Sequence, residues 1–114
     1  MNKYTYNENS REISGFGGGY EDACRKMVIA GMEWWDLHPD ADVRWKESPN
    51  ITGIQFNESD DCKSMQKHMN EAVDNEATGA MMQFCCNHIL AARRLGWEKY
   101  MEEMKESPEP TTEK

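Results

Sequence analysis

The chain has 114 residues, 38% of them hydrophobic and 30% charged, and carries a formal net charge of -8 at pH 7. That length supports one domain with a single modest core. The acidic balance argues against a surface built to grip nucleic acid backbone, which needs a basic stripe, and no apolar run approaches the roughly 20 residues of a membrane span.

In chain order, Tyr4 and Tyr6 alternate with polar neighbours, and residues 7–10 carry turn chemistry ahead of Ile13. This pattern predicts a first hairpin. It runs into Gly15, Gly17, Gly18 and Gly19, four glycines in five positions. A helix is expected over residues 20–37, where Tyr20, Cys24, Met27, Val28, Gly31, Trp34 and Trp35 form one continuous face. Glu21 and Asp22 fall in its first turn, where acids complement the helix dipole. Residues 38–40 (His-Pro-Asp) end it.

A second hairpin is expected from residues 43–45 and 51–56, across the turn at 47–50. A second helix is predicted over 60–73, capped by Asn57 or Ser59, with Cys62, Met65, Met69, Ala72 and Val73 turned inward. A third is predicted over 78–95. Met81, Phe84, Cys85, His88, Ile89, Ala92 and Leu95 share one face, and Met82, Cys86 and Leu90 widen it. A helix that broad is either central in the fold or buried in an oligomer interface. Gly96 reads as a cap or hinge, and Trp97, Tyr100, Met101 and Met104 give a last apolar spacing. The expected architecture is therefore α+β, with short antiparallel hairpins packed against three to four helices in a single domain over residues 1–105. Residues 106–114 have the composition of a disordered acidic tail. A homo-oligomer through the third and last helices is expected.

The glycine segment is the densest candidate site. Unpaired N–H groups at Gly17, Gly18, Gly19 and Tyr20, on a helix N-terminus and with Arg25 one turn on, could hold a phosphate. The segment matches neither a dinucleotide fingerprint, since Tyr20 stands where the last glycine belongs, nor a Walker loop. Glu21 and Asp22 oppose a second anion, and a tight turn needing positive φ explains the glycines as well. Cys24, Cys62, Cys85 and His88 could close a zinc site, but CxxC knuckles are lacking and core packing is the better explanation. No metal or other cofactor is expected. Glu33 and Asp36, then Asp60, Asp61 and Asp74, are acid pairs of the kind that hold Mg²⁺ or transfer protons. With 21 acidic residues in the chain such pairs arise by chance. His38 and His68 lack a neighbouring nucleophile. Trp34 and Trp35 diverge by about 100° around a helix, so one of them, with Trp45 or Trp97, could be exposed and stack on a base or anchor a partner near Arg25, Arg93 or Arg94; Arg93 and Arg94 equally suit a helix C-terminus.

Residues 14–35, SGFGGGYEDACRKMVIAGMEWW, with residues 78–100, TGAMMQFCCNHILAARRLGWEKY, resemble the small uncharacterised accessory proteins of bacteriophages. The likeness lies in a short acidic chain with a Met- and Cys-rich core, no enzyme motif and a polar tail, and it carries over no functional residue. It implies host-takeover or anti-defence work through binding. The expected function is thus a non-enzymatic protein that binds or sequesters a phosphate-containing, nucleotide-like ligand at Gly17, Gly18, Gly19, Tyr20 and Arg25. The alternative is an acidic inhibitor docked on a basic host protein such as a nucleic-acid-binding one. From residues 36 to 76 ten acids face four bases, a balance that solubility explains first and that could also imitate nucleic acid towards such a partner. A small metal-dependent hydrolase is the third reading. Residues 1–12 lack the apolar centre of a signal peptide, which predicts a cytoplasmic location (the host cytoplasm if phage-encoded) and leaves the sequons at Asn50 and Asn57 as chance matches.

Overall fold

Among the described residues, apolar spacing at three and four residues builds four helices: α1 (Gly18–Leu37), α2 (Asp60–Glu71), α3 (Gly79–Leu95) and α4 (Trp97–Glu103). The computed structural model describes residues 3–6, 10, 18–43 and 59–104. The helix starts follow local chemistry. Ser59 caps α2 by accepting the Cys62 N–H at 3.0 Å, and Thr78 caps α3 by accepting the Met81 N–H at 3.1 Å. Both side chains satisfy a backbone donor that a helix leaves open in its first turn. Ser59 also donates through its hydroxyl to the Asp42 carbonyl, while Asp61 Oδ2 accepts the Asp42 N–H at 2.7 Å. These two bonds join the chain after α1 to the start of α2.

The link from α2 to α3 turns on Asp74 (φ 56°) and Asn75 (φ 63°), two residue types that tolerate left-handed backbone. Asn70 fixes the turn from inside, its carbonyl accepting the Asn75 N–H at 2.8 Å and its Oδ1 accepting the Ala77 N–H at 3.0 Å. Between α3 and α4 the whole change of direction falls on Gly96, at φ 89° and ψ 150°.

The α+β expectation is overturned. The structure is mostly helical, and among the described residues there is no strand or sheet. Tyr4 and Tyr6 do face one side together, as a strand pattern requires, but what they meet is helix. The Tyr4 and Tyr6 rings lie edge-on to Trp97 of α4 at 5.0 and 5.4 Å. Aromatic contact across to α4 takes the place of a β-ladder partner here. Apart from Tyr4, Tyr6, Ser10 and Val43, the residues assigned to the two hairpins lie outside the described ones, as do Gly17 and the tail at 106–114.

Helix α1 packs on α2 and α3, and α3 packs on α4. The core is built from Met27, Met32, Met65, Met69, Met81 and Ile89 with Val28 and the cysteines. Met82, Cys86 and even Gln83 are buried along with the expected face of α3. The breadth of α3 is thus accounted for by its central position, and it no longer argues for an oligomer. At the crossing of α1 with α2 and α3 stands Gly31, where a Cβ would meet Ile89 Cδ1 at 2.3 Å. No helix among the described residues is long and apolar enough to cross a membrane.

Candidate functional site

The glycine corner and Arg25 come first. Gly18 and Gly19 open α1, and Tyr20 beside them is 47% exposed, not on the buried stripe its spacing predicted. Arg25 lies one to two turns on and faces inward. Its Nη2 donates to Glu21 Oε2 at 2.7 Å and to the Ser10 carbonyl at 3.0 Å, and its guanidinium lies 5.3 Å from the Tyr6 ring centre. Its side chain is only 19% exposed. The guanidinium is therefore a brace between α1 and the N-terminal segment, with its charge matched by Glu21.

That brace begins a polar chain into the core. The Tyr6 and Tyr100 hydroxyls are hydrogen-bonded at 2.7 Å, and Tyr100 is bonded to His88 Nδ1 at 2.8 Å. Burial pushes both phenols well above their usual range, so they stay neutral donors. With Nδ1 occupied in this way, His88 does not gather with the cysteines. No group of three or more His, Cys, Asp or Glu side chains among the described residues could hold a metal. Cys85 donates to the Cys24 carbonyl at 3.4 Å, joining α3 to α1. Its hydrogen bond to Cys24 and its burial push the Cys85 thiol up, and burial does the same for Cys86. Thiols held protonated in this way are weak ligands and weak nucleophiles.

A second constellation lies where the N-terminal segment, the end of α1 and the α3–α4 junction meet. Here a cleft of about 270 Å³ is lined by Lys3, Tyr4, Met32, Asp36, Ala92, Arg93, Gly96 and Trp97. At its centre is the Asp36 carboxylate. Arg93 donates to Asp36 Oδ1 at 2.8 Å, the Tyr4 hydroxyl donates to Oδ2, and the Lys3 ammonium lies 3.7 Å from Oδ2. Burial raises the carboxyl, but the hydrogen bonds from Tyr4 and Arg93 and the charges of Lys3 and Arg93 outweigh it and hold Asp36 below the usual range. Arg93 is fixed from behind, its guanidinium 4.6 Å from the Trp35 ring centre. Trp35 therefore spends its exposed face on an arginine of its own chain. Trp34, buried at the same helix end, stacks on His38 at 4.2 Å.

The local charge at this cleft is one carboxylate against two cations, on a chain that is acidic overall. Sequence patterning pointed to neither Lys3 nor Tyr4 as a site residue; it offered Trp97 and Arg93 only as an aromatic and a nearby cation for stacking on a base or anchoring a partner, and it paired Asp36 with Glu33. Asp36 and Arg93 are 57 residues apart, so no local spacing signals the pair. No protein-family model, no curated protein and no solved structure matches this chain.

Proposed function

We propose that this chain is a non-enzymatic binding protein whose Lys3–Asp36–Arg93 cleft takes a small phosphate-bearing ligand. One observation carries it: two hydrogen-bond donors, Tyr4 and Arg93, and the Lys3 ammonium converge from the N-terminal segment and α3 on a single oxyanion, at present the chain's own Asp36 carboxylate. A donor set that organises one oxyanion is chemically fit for another, and arginine and lysine are the usual phosphate partners. Met32, Ala92 and Trp97 give the cleft an apolar side for the rest of the ligand. At about 270 Å³ the cleft falls just below the usual size of ligand sites, which run from about 300 to 1,000 Å³. A ligand of nucleoside monophosphate size, or a fragment of a larger signal, suits it. In a phage-like accessory protein such binding would serve to sequester a nucleotide.

The test is thermal shift against inorganic phosphate and a panel of nucleotides, since a ligand of the native state raises its melting temperature. At least one phosphate compound should stabilise the protein, and Arg93→Gln should abolish that shift while Arg25→Gln leaves it. No shift with any phosphate compound would overturn the proposal.

A further inference from the structure

The donors of the cleft are not vacant. Each cation that could receive a ligand phosphate is already paired with Asp36: Arg93 at 2.8 Å and Lys3 at 3.7 Å, with the Tyr4 hydroxyl completing the set. An incoming oxyanion must draw Arg93 and Lys3 toward itself. Asp36 is then left beside a second anion with its cations shared or lost. Two carboxylate-like charges a few ångströms apart do not both stay ionised at modest cost. Given the anion-binding role proposed above, we propose that ligand uptake at this cleft is coupled to uptake of a solvent proton by an Asp36 carboxylate oxygen.

The surroundings favour Asp36 as the acceptor of that proton. Groups facing it are Lys3 and Tyr4 from the N-terminal segment and Arg93 from α3, and α4 contributes the uncharged Trp97. On α1, Glu33 is exposed, and just past its end His38 is stacked on Trp34 and bonded through Nδ1 to the Trp34 carbonyl at 2.9 Å. Contact with Tyr4 and Asp36 raises the Lys3 ammonium above its usual range. Once protonated, Asp36 can donate to the ligand anion, so the group that blocked the site becomes one of its donors. The sign is fixed: a proton taken up on binding makes binding tighter as pH falls. The coupling makes the cleft a site that holds its ligand in mildly acidic conditions and releases it as pH rises.

Sulfate is the probe, because it does not titrate between pH 5 and 8 and any proton taken up must go to the protein. Isothermal titration of the full chain with sodium sulfate is run in buffers of different ionisation enthalpy. In the wild-type protein the apparent enthalpy should vary with buffer enthalpy. The slope should correspond to less than one proton at pH 8 and approach one at pH 5, with sulfate affinity rising up to about tenfold per pH unit. In Asp36→Asn, sulfate should bind with a slope near zero at Asp36's share and an affinity that no longer climbs. Sulfate binding to the wild-type protein with no buffer dependence at any pH from 5 to 8 would overturn proton coupling and leave the binding role standing. A slope unchanged in Asp36→Asn would overturn it too. Absence of binding by sulfate, phosphate and nucleotides alike would sink the binding role itself, and the coupling with it.

Discussion

At Gly31 three helices come close enough that one added carbon would collide. A Cβ there would lie 2.3 Å from Ile89 Cδ1, 3.2 Å from Ile89 Cγ1 and 3.3 Å from Met69 Sδ. Alanine in a helix interior is about 1 kcal/mol better than glycine, but overpacking costs about 1–3 kcal/mol, so steric conflict wins. Gly31→Ala should lose about 1–2 kcal/mol in urea unfolding. Ile89→Val removes the Cδ1 that clashes, so the double variant should be more stable than the two single losses added together. Simple additivity would place the conflict elsewhere. The periodicity put Gly31 on the buried face of α1, yet nothing local could show which side chain takes the space its missing Cβ leaves. At Asp36 the folded state holds the carboxyl below its unfolded value, so its contribution is present above about pH 4 and is lost as pH falls through the folded value. Because the pair partners are about a third exposed, solvent screening limits this to about 0.5–1 kcal/mol. Asp36→Asn should therefore be slightly less stable than wild type at pH 7, with the gap closing in urea titrations at pH 3. A gap that persists at pH 3 would mean that the charge is not what holds the residue.

The helices were legible because each depends on short-range order. The stripe Cys24, Met27, Val28, Gly31 and Trp34 is buried along α1, and Ser59, one of two candidate caps, is the residue that closes the first turn of α2. Strand assignment failed at Tyr4 and Tyr6 for a related reason. A period of two says only that two side chains face the same way, and whether they face a ladder or a helix is decided by residues 90 positions on. Gly96 was legible as a break between α3 and α4, though not as the sole residue between them. At φ 89° and ψ 150° it occupies backbone that other residues enter only under strain, although a Cβ would find open space there. Gly96→Ala should cost about 1–3 kcal/mol from backbone conformation alone. It should also swing α4, which carries Trp97 and Tyr100, so near-ultraviolet circular dichroism should change along with stability. A loss of stability with an unchanged aromatic signal would show that α4 keeps its angle and that the strain is absorbed locally.

Across the whole molecule, the core is held by flexible side chains and the site by distant ones. Methionines from all four helices fill the interior, and such unbranched side chains adapt to irregular gaps that β-branched residues would leave open. This is why composition could announce a core while saying little about its shape. The glycine corner drew attention because its signal is local. The carboxylate cleft gave no signal because Lys3, Asp36 and Arg93 come from three places that only the tertiary fold brings together. The same holds for Arg25, whose position beside the glycines suggested a ligand and whose partners turn out to be Glu21 and the Ser10 carbonyl.

The bond between the Tyr6 and Tyr100 hydroxyls spans 94 residues of sequence, and that separation bears on the order in which the molecule assembles. Closing so long a loop carries an entropic cost that shorter contacts such as those within α1 do not. Residue 6 also leaves the ribosome long before residue 100 exists, so Tyr4 and Tyr6 wait on a helix made much later. The seat of this segment should accordingly form after the folding barrier is crossed. Tyr6→Phe removes one net hydrogen bond of about 1 kcal/mol and should speed unfolding about fivefold while leaving the folding rate unchanged. Stopped-flow denaturant jumps would read both rates, and a slower folding arm would show instead that the ends of this interaction meet early and help to nucleate the fold.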